Sequence, residues 1–131
     1  MQSKKDTSPA GHIIKRNQEV FYMAQKEETA LQNAIRVKLS EVGLVLRNNV
    51  GTYLTRYGAP IAIGVPGLSD LTLFANGGTT IFIEIKTPTG RQSKQQKHFQ
   101  TFVEKLGYEY IILRSVKEAE RLCSRLMKLK S

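Results

Sequence analysis

The chain has 131 residues, with 20 Lys and Arg against 11 Asp and Glu, a net charge of +9 and a pI near 9.9. That length suits one domain with a real core, and a 40% hydrophobic content is too rich for a disordered chain. No apolar run approaches the ~20 residues of a membrane span, the polar start carries no secretory leader, and one Cys with two His leaves neither a disulfide framework nor a Cys/His zinc site, so a reducing, cytoplasmic setting is expected.

Residues 1–16 are polar and mixed and are expected to form a mobile tail ahead of a single domain over 17–131. A first helix is predicted over 18–42, with Leu31, Ile35, Leu39 and Val42 at helical spacing and Gly43 as its stop. Leu44-Val45-Leu46 reads as a short strand. The Gly-, Asn- and Tyr-rich stretch from 47 to 67 has no clear periodicity. Leu71–Phe74 reads as a strand, Asn76-Gly77-Gly78 as a hairpin turn, and 80–86 as the returning strand. Pro88 and Gly90 end that strand. Ser93-Lys94-Gln95-Gln96 is a capping-box pattern ahead of Phe99, Phe102, Val103 and Leu106. A strand over 108–113 follows. A second capping pattern, Ser115 to Glu118, opens a last helix with Ala119, Leu122, Leu126 and Leu129 inward. The order α-β-β-β-α-β-α makes a mixed α/β (α+β) fold, a mixed sheet flanked by helices.

Acidic residues are scarce where they matter. Between Glu41 and Glu104 there are two, Asp70 and Glu84, both in or beside apolar strands. Strand alternation puts Glu84 and Lys86 on one face, about 7 Å apart. The plain alternative is a half-exposed strand with a solvated charged face. The turn bears on the choice: a three-residue loop pairs Ala75 with Thr79 and sets Asp70 opposite Glu84, whereas a two-residue loop breaks that pairing. Two adjacent carboxylates suppress each other's ionisation, and Lys86 alone compensates only partly. A hard divalent cation such as Mg²⁺ or Mn²⁺ solves this with oxygen ligands, and such a cluster is equipped for phosphodiester hydrolysis. On the first helix, Glu28 falls inside the apolar face and Glu27 toward its edge, so Glu28 is the acid expected to look toward the sheet.

At these residues the chain resembles the PD-(D/E)XK nucleases, and more closely their VRR-NUC (virus-type replication–repair nuclease) family. Gly64-Val65-Pro66-Gly67-Leu68-Ser69-Asp70-Leu71 is similar to the family's second motif, with Ser69 where the superfamily's name has Pro. Ile83-Glu84-Ile85-Lys86 is similar to the E-x-K, Ser93–Gln96 to the S-x-x-Q segment, and Glu28–Gln32 to the first-helix motif. The resemblance implies a restriction-endonuclease-like fold and a Mg²⁺- or Mn²⁺-dependent endonuclease in a bacterial or phage-infected cell. It makes Asp70, Glu84 and the Ile85 carbonyl metal ligands and Glu28 an outer or additional ligand. Lys86 assists the nucleophile. Gln96 supports the active site, although as the N3 residue it serves equally as a cap. The stand-alone relatives imply a junction-resolving homodimer acting on branched DNA such as four-way junctions; the alternative is a non-catalytic basic DNA-binding module.

Charge placement adds the expected DNA contacts. Residues 1–85 hold 9 basic and 7 acidic side chains, residues 86–131 hold 11 and 4. Arg91, Lys94 and Lys97 lie around the start of the second helix, and Lys117, Arg121, Arg125 and Lys128 make a stripe on the last. Arg47 and Arg56 flank the Gly- and Tyr-rich stretch, which makes that loop a candidate DNA-contacting element; Tyr53 and Tyr57 there either stack on bases or, the stronger expectation, pack. No base-reading pattern is visible, so backbone and shape recognition is expected.

Overall fold

The computed structural model describes residues 9–49 and 51–129, with side chains from 15 onward. Helix α1 (Pro9–Leu39) leads into β1 (Gly43–Arg47), β2 (Gly51–Leu54), β3 (Pro60–Ile63), β4 (Leu71–Ala75) and β5 (Thr79–Ile85). Helix α2 (Lys94–Lys105), strand β6 (Glu109–Leu113) and helix α3 (Val116–Lys128) complete the chain. The main sheet has the order β1-β4-β5-β6, and β2-β3 form a separate ribbon. β5 and β6 are parallel while the other pairs are antiparallel. A parallel pair needs a long crossover, and α2 supplies it.

Strand alternation builds three layers. Leu71 and Leu73 of β4 with Ile81, Ile83 and Ile85 of β5 point to one face, where they pack with Ile35 and Leu39 of α1 and Ala119, Leu122, Cys123 and Leu126 of α3. Phe82 points to the other face and packs with Phe99 and Val103 of α2 and with Tyr110. The Phe82 ring meets Phe99 edge-on at 5.4 Å and Tyr108 at 5.7 Å, the geometry aromatic quadrupoles favour. Glu84 shares Phe82's side of β5, so it faces the layer under α2.

The mixed fold and the order of its main sheet and helices match expectation, with four differences. α1 begins at Pro9 rather than near 18 and ends at Leu39, so positions 9–16 of the expected tail are helical and positions 1–8 lie outside the described residues. The unplaced stretch holds the β2-β3 hairpin, whose side chains, Tyr53 and Tyr57 among them, are exposed rather than packed. No period marks it because neither face is buried. Leu129 is exposed, and Cys123 takes the inward place expected for it. Finally, only half of the second capping box forms: Ser115 Oγ accepts from Glu118 N–H at 3.1 Å, while Glu118 Oε2 turns to Arg114 N–H at 2.7 Å.

Candidate active site

The turn after β4 sets the register on which the site depends. Ala75 pairs with Thr79 and Leu71 with Ile83, the three-residue reading, with Gly77 and Gly78 both at positive φ. Asp70 therefore stands just before β4, beside the end of β5, and its Oδ2 accepts Ile85 N–H at 2.7 Å. The carboxylate occupies the place of a ladder partner and is held at Glu84's neighbour.

Glu84 is 1% exposed. Its Oε1 accepts from Gln96 Nε2 at 3.1 Å and lies 3.7 Å from Lys86 Nζ. Its Oε2 is buried and has no hydrogen-bond partner. Burial, then the neighbouring Asp70 carboxylate, push the carboxyl up to about 8, against the opposing pull of Lys86. Buried polar atoms are nearly always paired, so an oxygen orphaned beside a second carboxylate is an unmet demand for positive charge. The donors are all hard oxygens, which suits Mg²⁺ or Mn²⁺ and not a soft metal. The residues present fit such an ion.

Gln96 does two jobs. Its Oε1 accepts Ser93 N–H at 2.8 Å and its own N–H donates to Ser93 Oγ at 3.1 Å, which completes the capping box. Its Nε2 holds Glu84. Gly67 locks this helix start to the motif before Asp70: a Cβ there would stand 2.1 Å from Gln95 O, and the residue has φ +80°. Only glycine lets the loop lie against the first turn of α2.

Several supporting residues carry no signal in the sequence. Asn48 N–H donates to Asp70 O at 2.8 Å, and its Nδ2 donates to Ser69 O and Thr72 Oγ1, both at 2.9 Å. Ser69, fully buried, donates to Leu71 O at 3.0 Å. Arg114 Nη1 donates to Thr87 O at 2.8 Å and Gly90 O at 2.6 Å, fastening the turn that follows Lys86. Tyr110, pushed up to about 12 mainly by burial, accepts from Gln92 Nε2 at 3.2 Å behind Glu84. Ser69 and Leu71 aside, these partners lie 18 or more positions apart in sequence, with no spacing rule connecting them.

The expected residues separate into several places. Asp70, Glu84, Ile85, Lys86 and Gln96 are together. Glu28 is exposed and lines an open cleft of about 400 Å³ with Gln25, Thr29, Gln32 and Arg47. Among the described residues no three His, Cys, Asp or Glu cluster tightly enough to share an ion, so Glu28 stands apart from the carboxylate pair. Arg91, Lys94 and Lys97 are exposed around the start of α2, and Arg56 is exposed on the hairpin. On α3 the stripe is exposed, but Arg125 Nη2 is committed to Glu109 Oε1 at 2.6 Å.

Comparison with known proteins agrees with this geometry. Residues 47–117 match the VRR-NUC domain, a span that holds the hairpin, Asp70, Glu84, Lys86 and Gln96 and omits α1. A solved structure described as a VRR_NUC domain superposes with a TM-score of 0.56 at 20% identity, covering 74% of this chain and 94% of that one, and so shares the fold. No curated protein matches the chain. With more than half of its length matched and the motif residues gathered in one place, the chain belongs to the VRR-NUC family of nucleases.

Proposed function

We propose that the protein is a Mg²⁺- or Mn²⁺-dependent DNA endonuclease, selective for branched DNA and acting as a homodimer. The observation that carries the metal dependence is Glu84 Oε2, buried without a partner beside Asp70. Asp70 and Glu84 hold the ion, with the Ile85 carbonyl as the third ligand. When bound, the ion polarises a phosphoryl oxygen and acidifies a coordinated water. Asp70 is oriented by Ile85 N–H and Glu84 by Gln96. The ammonium of Lys86, largely buried, orients the nucleophile and offsets charge growing on the phosphate. Arg91, Lys94 and Lys97 grip the backbone beside this centre. Homodimerisation draws support from α1, whose outer half exposes Val20, Phe21, Tyr22 and Met23, more apolar surface than a solvated helix needs.

The test is a panel of linear, flapped, forked and four-way DNA incubated with Mg²⁺, Mn²⁺ or chelator. Metal-dependent incision of the branched substrates is expected, with loss of about 10²–10³-fold for Asp70→Ala and Glu84→Ala and a large loss for Lys86→Ala, in keeping with the usual size of such electrostatic effects. Salt-sensitive binding with no metal-dependent cutting would overturn the enzymatic reading. Light scattering that shows a monomer at high concentration would remove the homodimer.

A further inference from the structure

From Val42 to Ser69 the chain carries no acidic residue, and Arg56 is its single charge between Asn48 and Ser69. In the middle of this stretch the β2-β3 hairpin stands apart from the main sheet. Its tip is tightly built. Thr55 N–H donates to Ala59 O at 2.8 Å and Gly58 N–H to Thr55 O at 2.9 Å. Thr55 Oγ1 accepts from Tyr57 N–H at 3.3 Å and Ala59 N–H at 3.0 Å. Gly58, at φ +78°, completes the reversal. What the tip presents is one aromatic ring and one cation: Tyr57 is 86% exposed, and the Arg56 guanidinium sits 5.4 Å from its centroid. The ring and the guanidinium thus stand together on ordered backbone, open to a planar partner that can stack.

The root of the hairpin is tied to the cleavage centre. Asn48, three residues before β2, binds Asp70 O through its N–H and Ser69 O through its amide. The segment that presents Asp70 thus also carries the tip.

The geometry points to a base-stacking tip, in which Tyr57 and Arg56 engage exposed bases at a DNA branch at a reach set by the hairpin from Asp70. The inference rests on the DNA endonuclease reading and says where branch selectivity arises. In a continuous duplex each base is covered by its neighbours, whereas a branch bares the terminal pair. An aromatic face stacks on any base, so the contact is sequence-tolerant, and Arg adds a cation–π contribution. Tyr57 lies nine residue steps from Asn48; at ~3.3 Å each the reach is at most about 30 Å, or about nine base-pair steps of ~3.4 Å. Incision accordingly falls within about nine base pairs of the branch.

Binding measured in chelator separates the tip from catalysis. Anisotropy with a four-way junction, a fork and a linear duplex of equal length gives the branched-to-linear affinity ratio, and 2-aminopurine beside the branch reports stacking. Tyr57→Ala should lower the ratio about tenfold and abolish quenching, while Tyr57→Phe, which keeps the ring, retains both. An unchanged ratio and unchanged quenching in Tyr57→Ala would overturn the inference, as would a wild type with no branch preference. A shift from dimer to monomer in Tyr57→Ala would overturn it too, by assigning the hairpin to a second copy. Wild type with branch preference and quenching but no metal-dependent cutting would remove the nuclease reading and leave the tip standing.

Discussion

Glu84 concentrates the chemistry of the molecule in one side chain. Its carboxyl titrates near 4.5 when unfolded and near 8 when folded, because burial and Asp70 disfavour the charge. The folded state therefore holds a proton that the unfolded state releases, and linkage makes stability fall as pH rises from about 4.5 to 8, then level off. Thermal melts in chelator should show this decline in wild type and a flatter profile in Glu84→Gln; saturating Mn²⁺ should restore stability most at high pH, since binding the ion requires the carboxylate. Gln96 allows its two roles to be separated. Gln96→Glu keeps an acceptor for Ser93 N–H but replaces the donor to Glu84 with a second acid. Helix content by circular dichroism should be preserved, with cleavage down at least tenfold, roughly the 1.5–3 kcal/mol of a charged hydrogen bond. If activity survives, Gln96 is a cap alone.

At the level of elements, the site is held by contacts between segments rather than by any one of them. The first turn of α2 carries Gln96, the loop before β4 carries Asp70, and Gly67 is where they touch. Gly67→Ala should lower stability by about 1–3 kcal/mol from the positive φ alone, with more from the clash at Gln95 O; denaturant melts and cleavage assays should both register it. Arg114 fastens the turn after Lys86 through two carbonyls. Arg114→Ala, which loses both charge-assisted bonds, should cost about 2–4 kcal/mol and reduce cleavage by loosening Lys86, without lowering the salt dependence of DNA binding.

For the molecule as a whole, the +9 charge divides into structural and free parts. Arg114 and Arg125 are used internally, while Arg91, Lys94 and Lys97 are exposed around the start of α2, the turn from which Gln96 reaches Glu84. On the proposed reading, this basic rim draws the polyanion toward carboxylates that take a metal. Each phosphate contact contributes about 0.9 to the slope of log affinity against log salt. Removing Lys94 or Lys97 should reduce that slope by about one each, whereas Arg125→Ala should leave it unchanged.

Much of the molecule was legible in advance because it rests on local rules. Hydrophobic alternation placed β4, β5 and β6, the Ser93–Gln96 pattern placed the start of α2, and the scarcity of acids drew attention to Asp70 and Glu84. The β2-β3 ribbon was not legible, since periodicity reports burial and this ribbon buries neither face. The inward place of Leu129 failed because the residue is the C-cap of α3, beyond its last buried turn, while Cys123 faces α1, with its thiol 3.5 Å from the Lys38 carbonyl. By itself, then, the sequence determined the kinds of side chain, the elements that carry them and the spacing of Glu84 and Lys86, all consequences of short-range periodicity. Only the tertiary structure decided which turn register brings Asp70 beside Glu84, that Gln96 reaches Glu84 while Glu28 does not, and that one carboxylate oxygen is buried alone, because each depends on how distant segments pack.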